Sequence, residues 1–135
     1  MPVRLLVLIT ALADLGACGN LVVPGVPLAG TWGGVHLEAA LTETGGTLEY
    51  DCAAGTISSA LVPDERGRVS ATGIHSPGHG GPVRQDEIPP RLPARYDGVV
   101  RGDLLTLTVT LTEANQQIGT FELRRGEPGR VFRCL

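Results

Sequence analysis

From Leu105 to Thr112 the chain reads Leu-Thr-Leu-Thr-Val-Thr-Leu-Thr. Leu105, Leu107, Val109 and Leu111 fall on one parity, and Thr106, Thr108, Thr110 and Thr112 on the other. Successive side chains leave a pleated strand on opposite faces, so a period of two marks a strand with one buried and one wet side. The same period recurs from Thr31 onward. Val35, Leu37, Ala39 and Leu41 alternate with His36, Glu38, Ala40 and Thr42. Leu48 and Tyr50 alternate with Thr47, Glu49 and Asp51, and Phe121 and Leu123 repeat the pattern briefly.

Turn chemistry separates these runs at Thr44-Gly45-Gly46, Asp64-Glu65-Arg66-Gly67, Arg101-Gly102-Asp103, Ala114-Asn115-Gln116 and Gly126-Glu127-Pro128-Gly129. No window shows a convincing helical period. The spacing predicts about eight strands, at 32–43, 46–52, 55–62, 67–75, 94–101, 103–113, 117–125 and 130–134. Short consecutive strands on tight turns predict an all-β fold: a small antiparallel meander barrel, with a β-sandwich as the alternative. Aromatics are scarce (Trp32, Tyr50, Tyr96, Phe121, Phe132), so the core is built mainly from Leu, Val, Ile and Ala.

The N-terminus has a different character. Arg4 precedes an apolar run, Leu5 to Ala13, that is broken only by Thr10 and ends at Asp14. A membrane-spanning helix needs roughly 20 apolar residues. A basic start, a short apolar run and small residues after it read as a secretory signal. Leu15-Gly16-Ala17-Cys18 resembles the lipobox of bacterial lipoproteins. That resemblance implies cleavage before Cys18, a lipid on its sulfur and a place in the bacterial cell envelope, at the outer membrane or the periplasmic face. An ordinary secretory signal is the alternative. The resulting division is a signal peptide at 1–17, a lipid-anchored tether at 18–30 and a β-barrel domain at 31–135. Pro24 and Pro27 oppose regular structure in the tether.

Three cysteines, Cys18, Cys52 and Cys134, are an odd count for an exported chain. If a thioether occupies Cys18, Cys52 and Cys134 remain to form a disulfide. Strand parity agrees: if Leu48 and Tyr50 point inward so does Cys52, and if Phe132 points inward so does Cys134. Neither cysteine has zinc-ligand spacing.

Gly30-Thr31-Trp32 resembles the Gly-x-Trp opening of lipocalins and other calycins. That resemblance implies a barrel plugged at one end by Trp32, with Arg124, Arg125 or Arg133 packed on the ring. The runs Gly30–His36 and Asp51–Gly55 also resemble segments of small uncharacterised bacterial proteins, which implies no activity.

The residues that can carry chemistry are few. His36 shares a face with Glu38, near Glu49 and Asp51, where a metal or proton role competes with a plain solvent face. His75 precedes the Pro- and Gly-rich segment 76–93 and His79 lies within it, a length often functional in a compact domain. Trp32, His36, His75 and His79 are therefore the candidate ligand-binding residues. No metal or cofactor is expected, because no His pair has a recognised ligand spacing. Motifs of serine hydrolases, zinc proteases and nucleotide-binding enzymes are absent. A net charge of −3 gives nothing that attracts a nucleic acid. Two readings follow: a non-catalytic envelope binding module for a small apolar ligand or a protein partner, or an accessory envelope protein without a small-molecule ligand.

Overall fold

The computed structural model describes residues 22–135. Eight strands run in chain order: β1 (Gly30–Gly34), β2 (Leu37–Thr42), β3 (Gly45–Tyr50), β4 (Ala53–Ile57), β5 (Arg68–Pro77), β6 (Leu92–Arg101), β7 (Leu104–Leu111) and β8 (Gln116–Arg125). Each pairs antiparallel with the next, and β8 returns to β1, so the sheet closes into a barrel and not a sandwich. Closure leaves no edge strand to template aggregation.

The predicted alternation decides which side chains fill the barrel. Leu105, Leu107 and Val109 of β7 are all fully buried, and Leu37, Ala39, Leu48 and Leu123 join them. The threonines between them face outward in ranks; Thr108 and Thr120 lie opposite each other on β7 and β8, with their hydroxyls 2.9 Å apart.

Three expectations are corrected. The segment 32–43 is two strands, because Val35 and His36 form a two-residue turn with His36 in the left-handed region (φ 74°). Val35 is consequently exposed while Leu37, Ala39 and Leu41 stay inside. The expected last strand at 130–134 is instead part of a strap, residues 126–135, that climbs the outside of the barrel. It touches the sheet as one parallel bridge, Val35 with Arg130. The cysteine parity also fails. Cys52 sits in the turn after β3 with φ 54°, and Phe132 is 63% exposed. The Cys52–Cys134 disulfide forms nonetheless, with its Cα atoms 4.8 Å apart, as a tie on the barrel's outside.

The two ends differ. At one, Trp32 is fully buried beside Leu28 and Leu61, and the segment before β1 is packed down, with Gly25 N–H donating to the Pro63 carbonyl and Leu28 N–H to the Leu61 carbonyl. From residue 22 the expected tether thus lies against the barrel, and Leu28 belongs to its core. This is the closed end. The other end carries the turns 35–36, 51–52 and 112–115 and the loop 78–91.

Candidate functional site

The mouth is built where Tyr50 ends β3, His75 nears the end of β5 and Phe121 crosses on β8. Alternation turns all three inward: Tyr50 is two residues from Leu48, His75 two from Gly73, and Phe121 two from Leu123. The Tyr50 ring meets His75 edge-on, with centroids 5.2 Å apart, and lies tilted against Phe121 at 5.7 Å. Partly buried Ala53, Leu92 and Ile118 pack around them. His75 is only 4% exposed and is the one buried ionisable side chain besides the tyrosines among the described residues.

The polar atoms here are incompletely satisfied. His75 Nδ1 is buried without a hydrogen-bond partner, and the Tyr50 hydroxyl is buried with only the neighbouring Tyr96 hydroxyl to interact with. An unpartnered buried group costs about 1–3 kcal/mol unless a water or ligand completes it. One layer deeper, the Tyr96 hydroxyl donates to the Ile74 carbonyl at 2.7 Å. Gly55 and Gly73 make room for that ring: a Cβ on Gly55 would meet the Tyr96 hydroxyl at 2.6 Å, and one on Gly73 would meet Tyr96 Cε2 at 2.9 Å.

Burial sets the protonation states. Desolvation pushes the Tyr50 phenol far above its ordinary value, with the neighbouring Tyr96 adding to the shift. Desolvation also raises Tyr96 and holds His75 below its usual value, so its imidazole is neutral at pH 7. A neutral imidazole offers one donor and one acceptor, and a phenol offers both. The mouth thus presents uncharged hydrogen-bonding atoms between aromatic faces. Below it the interior is filled. Leu37, Leu105, Leu107, Val109 and Leu123 show no accessible surface, so no water-sized void touches them. Open grooves lie on the outer wall, such as the one of about 390 Å³ between the strap and the outer face of β2–β4.

The expected site residues are not brought together. Trp32 lies at the closed end, under the Arg125 guanidinium at 4.4 Å, which makes Arg125 the partner among the three arginines expected for it. His36 faces outward on its turn, where Nδ1 pairs with the Asp51 carboxylate. Asp51 also accepts from the Phe132 N–H at 2.7 Å, and the His36 N–H donates to the Arg130 carbonyl at 2.8 Å. His36 therefore clasps the strap. His79 stands on the loop, half-exposed, and pairs with Glu87. His75 points inward while His79 points out, so they form no metal pair, and no group of three metal-ligating side chains exists among the described residues. Cys18 lies outside the described residues.

Tyr50 and Phe121 were not singled out from the sequence. Their signal was their parity with Leu48 and Leu123, which gives direction but not which aromatic meets which histidine.

Compared with protein-family models, curated proteins and solved structures, the chain gives no significant match. The closed eight-stranded meander, with Trp32 under Arg125, is consistent with a calycin-type barrel.

Proposed function

We propose that this chain is a non-catalytic binding module, lipid-anchored in the bacterial envelope, that takes one small uncharged ligand at the Tyr50–His75–Phe121 mouth. The observation that carries the reading is the buried, unpartnered His75 Nδ1, set beside the Tyr50 hydroxyl among aromatic rings. Small-molecule sites combine mostly apolar walls with a few converging polar groups. The neutral state of His75 favours a ligand with a hydroxyl or amide over an anion, whose burial would need a compensating charge. The filled interior limits the ligand to a short one and argues against a long acyl chain.

The anchored half of the reading rests on Leu15-Gly16-Ala17-Cys18. It gains support from the Cys52–Cys134 bond, which leaves Cys18 as the unpaired cysteine. The filled interior favours a second reading, an accessory envelope protein that acts through its outer faces.

Intact mass of the protein from a bacterial membrane fraction, measured native and then denatured, separates these. The expected mass starts at a lipid-bearing Cys18, lacks two hydrogens and loses a bound small molecule on denaturation. Lipidated protein with no bound molecule, whose His75 imidazole signals do not respond to neutral aromatic alcohols, favours the accessory reading. An unlipidated soluble protein overturns the anchor.

A further inference from the structure

We propose that the closed end of the barrel is a bilayer-contacting surface, seated through Val23, Val26 and Val62, so that the mouth faces away from the membrane. This rests on the anchored reading of Cys18 and adds an orientation to it.

The contact residues are held rigidly. Val23-Pro24-Gly25-Val26 is a tight turn closed by the Val26 N–H donating to the Val23 carbonyl at 3.2 Å. Pro24 and Gly25, the latter at φ 81°, occupy the positions that a type II turn prefers. Gly25 and Leu28 tie this turn to Pro63 and Leu61 through backbone hydrogen bonds of 2.9 and 2.8 Å. Val62, between those two partners, is therefore a neighbour of the turn. Although this segment is pinned, its valines point outward: Val23 is 54% exposed, Val26 52% and Val62 42%.

Exposed apolar residues also lie toward the other end, in Val83 and Ile88 of the loop and in Phe132 and Leu135 of the strap. Chain connectivity decides between the ends. Four residue steps separate Cys18 from Val22, and an extended chain covers at most about 14 Å over that interval. Val22 itself packs against the core. The eight residues of β7, tilted as barrel strands are, put the mouth roughly 20 Å further along the axis. A lipid on Cys18 can therefore bring the closed end to the interface, and cannot bring the mouth there without the barrel lying over. The lipid holds the chain at the interface, and three valines at the point of attachment give the barrel an apolar face to seat there.

The experiment uses full-length protein matured in bacteria, with the lipid on Cys18 verified by mass. It is placed in phosphatidylcholine vesicles with plain or brominated acyl chains. Bromine quenches tryptophan only at close range. Val26→Trp and Ile88→Trp each add one reporter to Trp32 at an exposed site. About half of the added emission of Val26→Trp is expected to be lost in brominated vesicles, as for a side chain at the acyl boundary. Ile88→Trp is expected to be quenched no more than the parent. Equal quenching at both positions, or quenching at Ile88→Trp alone, overturns the orientation while the anchor stands. Absence of lipid on Cys18 overturns the anchored reading, and this orientation with it.

Discussion

Trp32 and Arg125 sit directly opposite each other across the seam where β1 meets β8, with the guanidinium 4.4 Å from the ring centre. Only one further pair, Gly33 with Arg124, aligns across that seam, against eight pairs between β7 and β8. The cation–π contact therefore reinforces the barrel's thinnest join. Asp103 braces Arg125 from the turn before β7, with Oδ1 3.3 Å from Nε and its carbonyl accepting from the Arg125 N–H at 2.9 Å.

Trp32→Ala is expected to lower stability by about 3–5 kcal/mol, the range for emptying an aromatic core site. Arg125→Ala should remove about 1–2 kcal/mol, since the contact is largely desolvated. The losses should be less than additive in the double variant, because both act on one join. Urea unfolding followed by far-ultraviolet circular dichroism reads all three. An Arg125→Ala variant as stable as the parent would remove the seam argument.

The strap gives a second test. It is held by Cys52–Cys134, by the Arg130 bridge, by Glu38 accepting from the Gly129 N–H at 2.7 Å, and at its tip by the Gly81 N–H donating to the Leu135 carbonyl. None of these bonds lies inside the barrel. Replacing both cysteines with serine should leave the strand content unchanged. The chain-entropy estimate for a separation of 82 residues is about 4.5 kcal/mol, an upper value. Trypsin should then cut after Arg130 and Arg133 while β1–β8 stay protected. Protection of those sites in the serine variant would show that the backbone contacts hold the strap unaided.

Much of the barrel was legible because its signal is geometric. The Leu/Thr alternation of β7 can satisfy a one-sided core in one way only, since a one-residue slip would expose every leucine. Two kinds of feature escaped. Val35-His36 lacks the Gly, Asn or Asp that usually marks a turn, so β1 and β2 read as one strand; His36 adopts a positive φ where its ring pairs with Asp51 and its N–H with Arg130. Phe132 and Cys134 share a parity as strand residues would, but this segment is fixed by the disulfide and by Asp51, contacts that periodicity cannot encode. The mouth was half legible, since parity points Tyr50 inward but cannot name His75 as its neighbour.

The loop 78–91 should respond to pH through His79 and Glu87. The Gly80 carbonyl, and then Glu87, raise the His79 pKa above 6.5. His79, and then the Arg84 N–H, hold Glu87 below 4.5. A raised His favours the closed loop below its unfolded value and loses that effect as pH rises through its folded value. A lowered Glu favours closure above its unfolded value and loses it as pH falls through its folded value. Closure is therefore fullest between the two ordinary values, 4.5 and 6.5. His75 behaves oppositely: burial lowers its pKa, so its folded form resists protonation as pH drops below 6.5. An NMR titration of the three histidines should place His79 above 6.5 and His75 below it, and Glu87→Gln should bring His79 down alone. Coincident midpoints would mean that neither environment forms.

The last prediction concerns the floor of the mouth. Gly73 faces Tyr96 and also lies against the Thr56 carbonyl oxygen, where a Cβ would collide with rigid backbone. Gly55 faces two rings most closely, the Tyr96 hydroxyl at 2.6 Å and Tyr50 Cε2 at 3.2 Å, with the Ile74 carbonyl oxygen also at 3.2 Å, against a far closer approach of Gly73 to the Thr56 carbonyl oxygen. A ring can tilt where a ladder carbonyl cannot. Gly73→Ala should therefore destabilise by about 1–3 kcal/mol through overpacking of the β4–β5 pair. Gly55→Ala should cost less, and should instead displace Tyr50 and shift the His75 imidazole signals, because its strain is relieved into the mouth. Gly102, at φ 57° with open space around it, is the control for backbone conformation alone, at about 1 kcal/mol. If Gly55→Ala leaves His75 unmoved while costing as much as Gly73→Ala, the tyrosines are locked. The mouth would then have no give with which to admit a ligand.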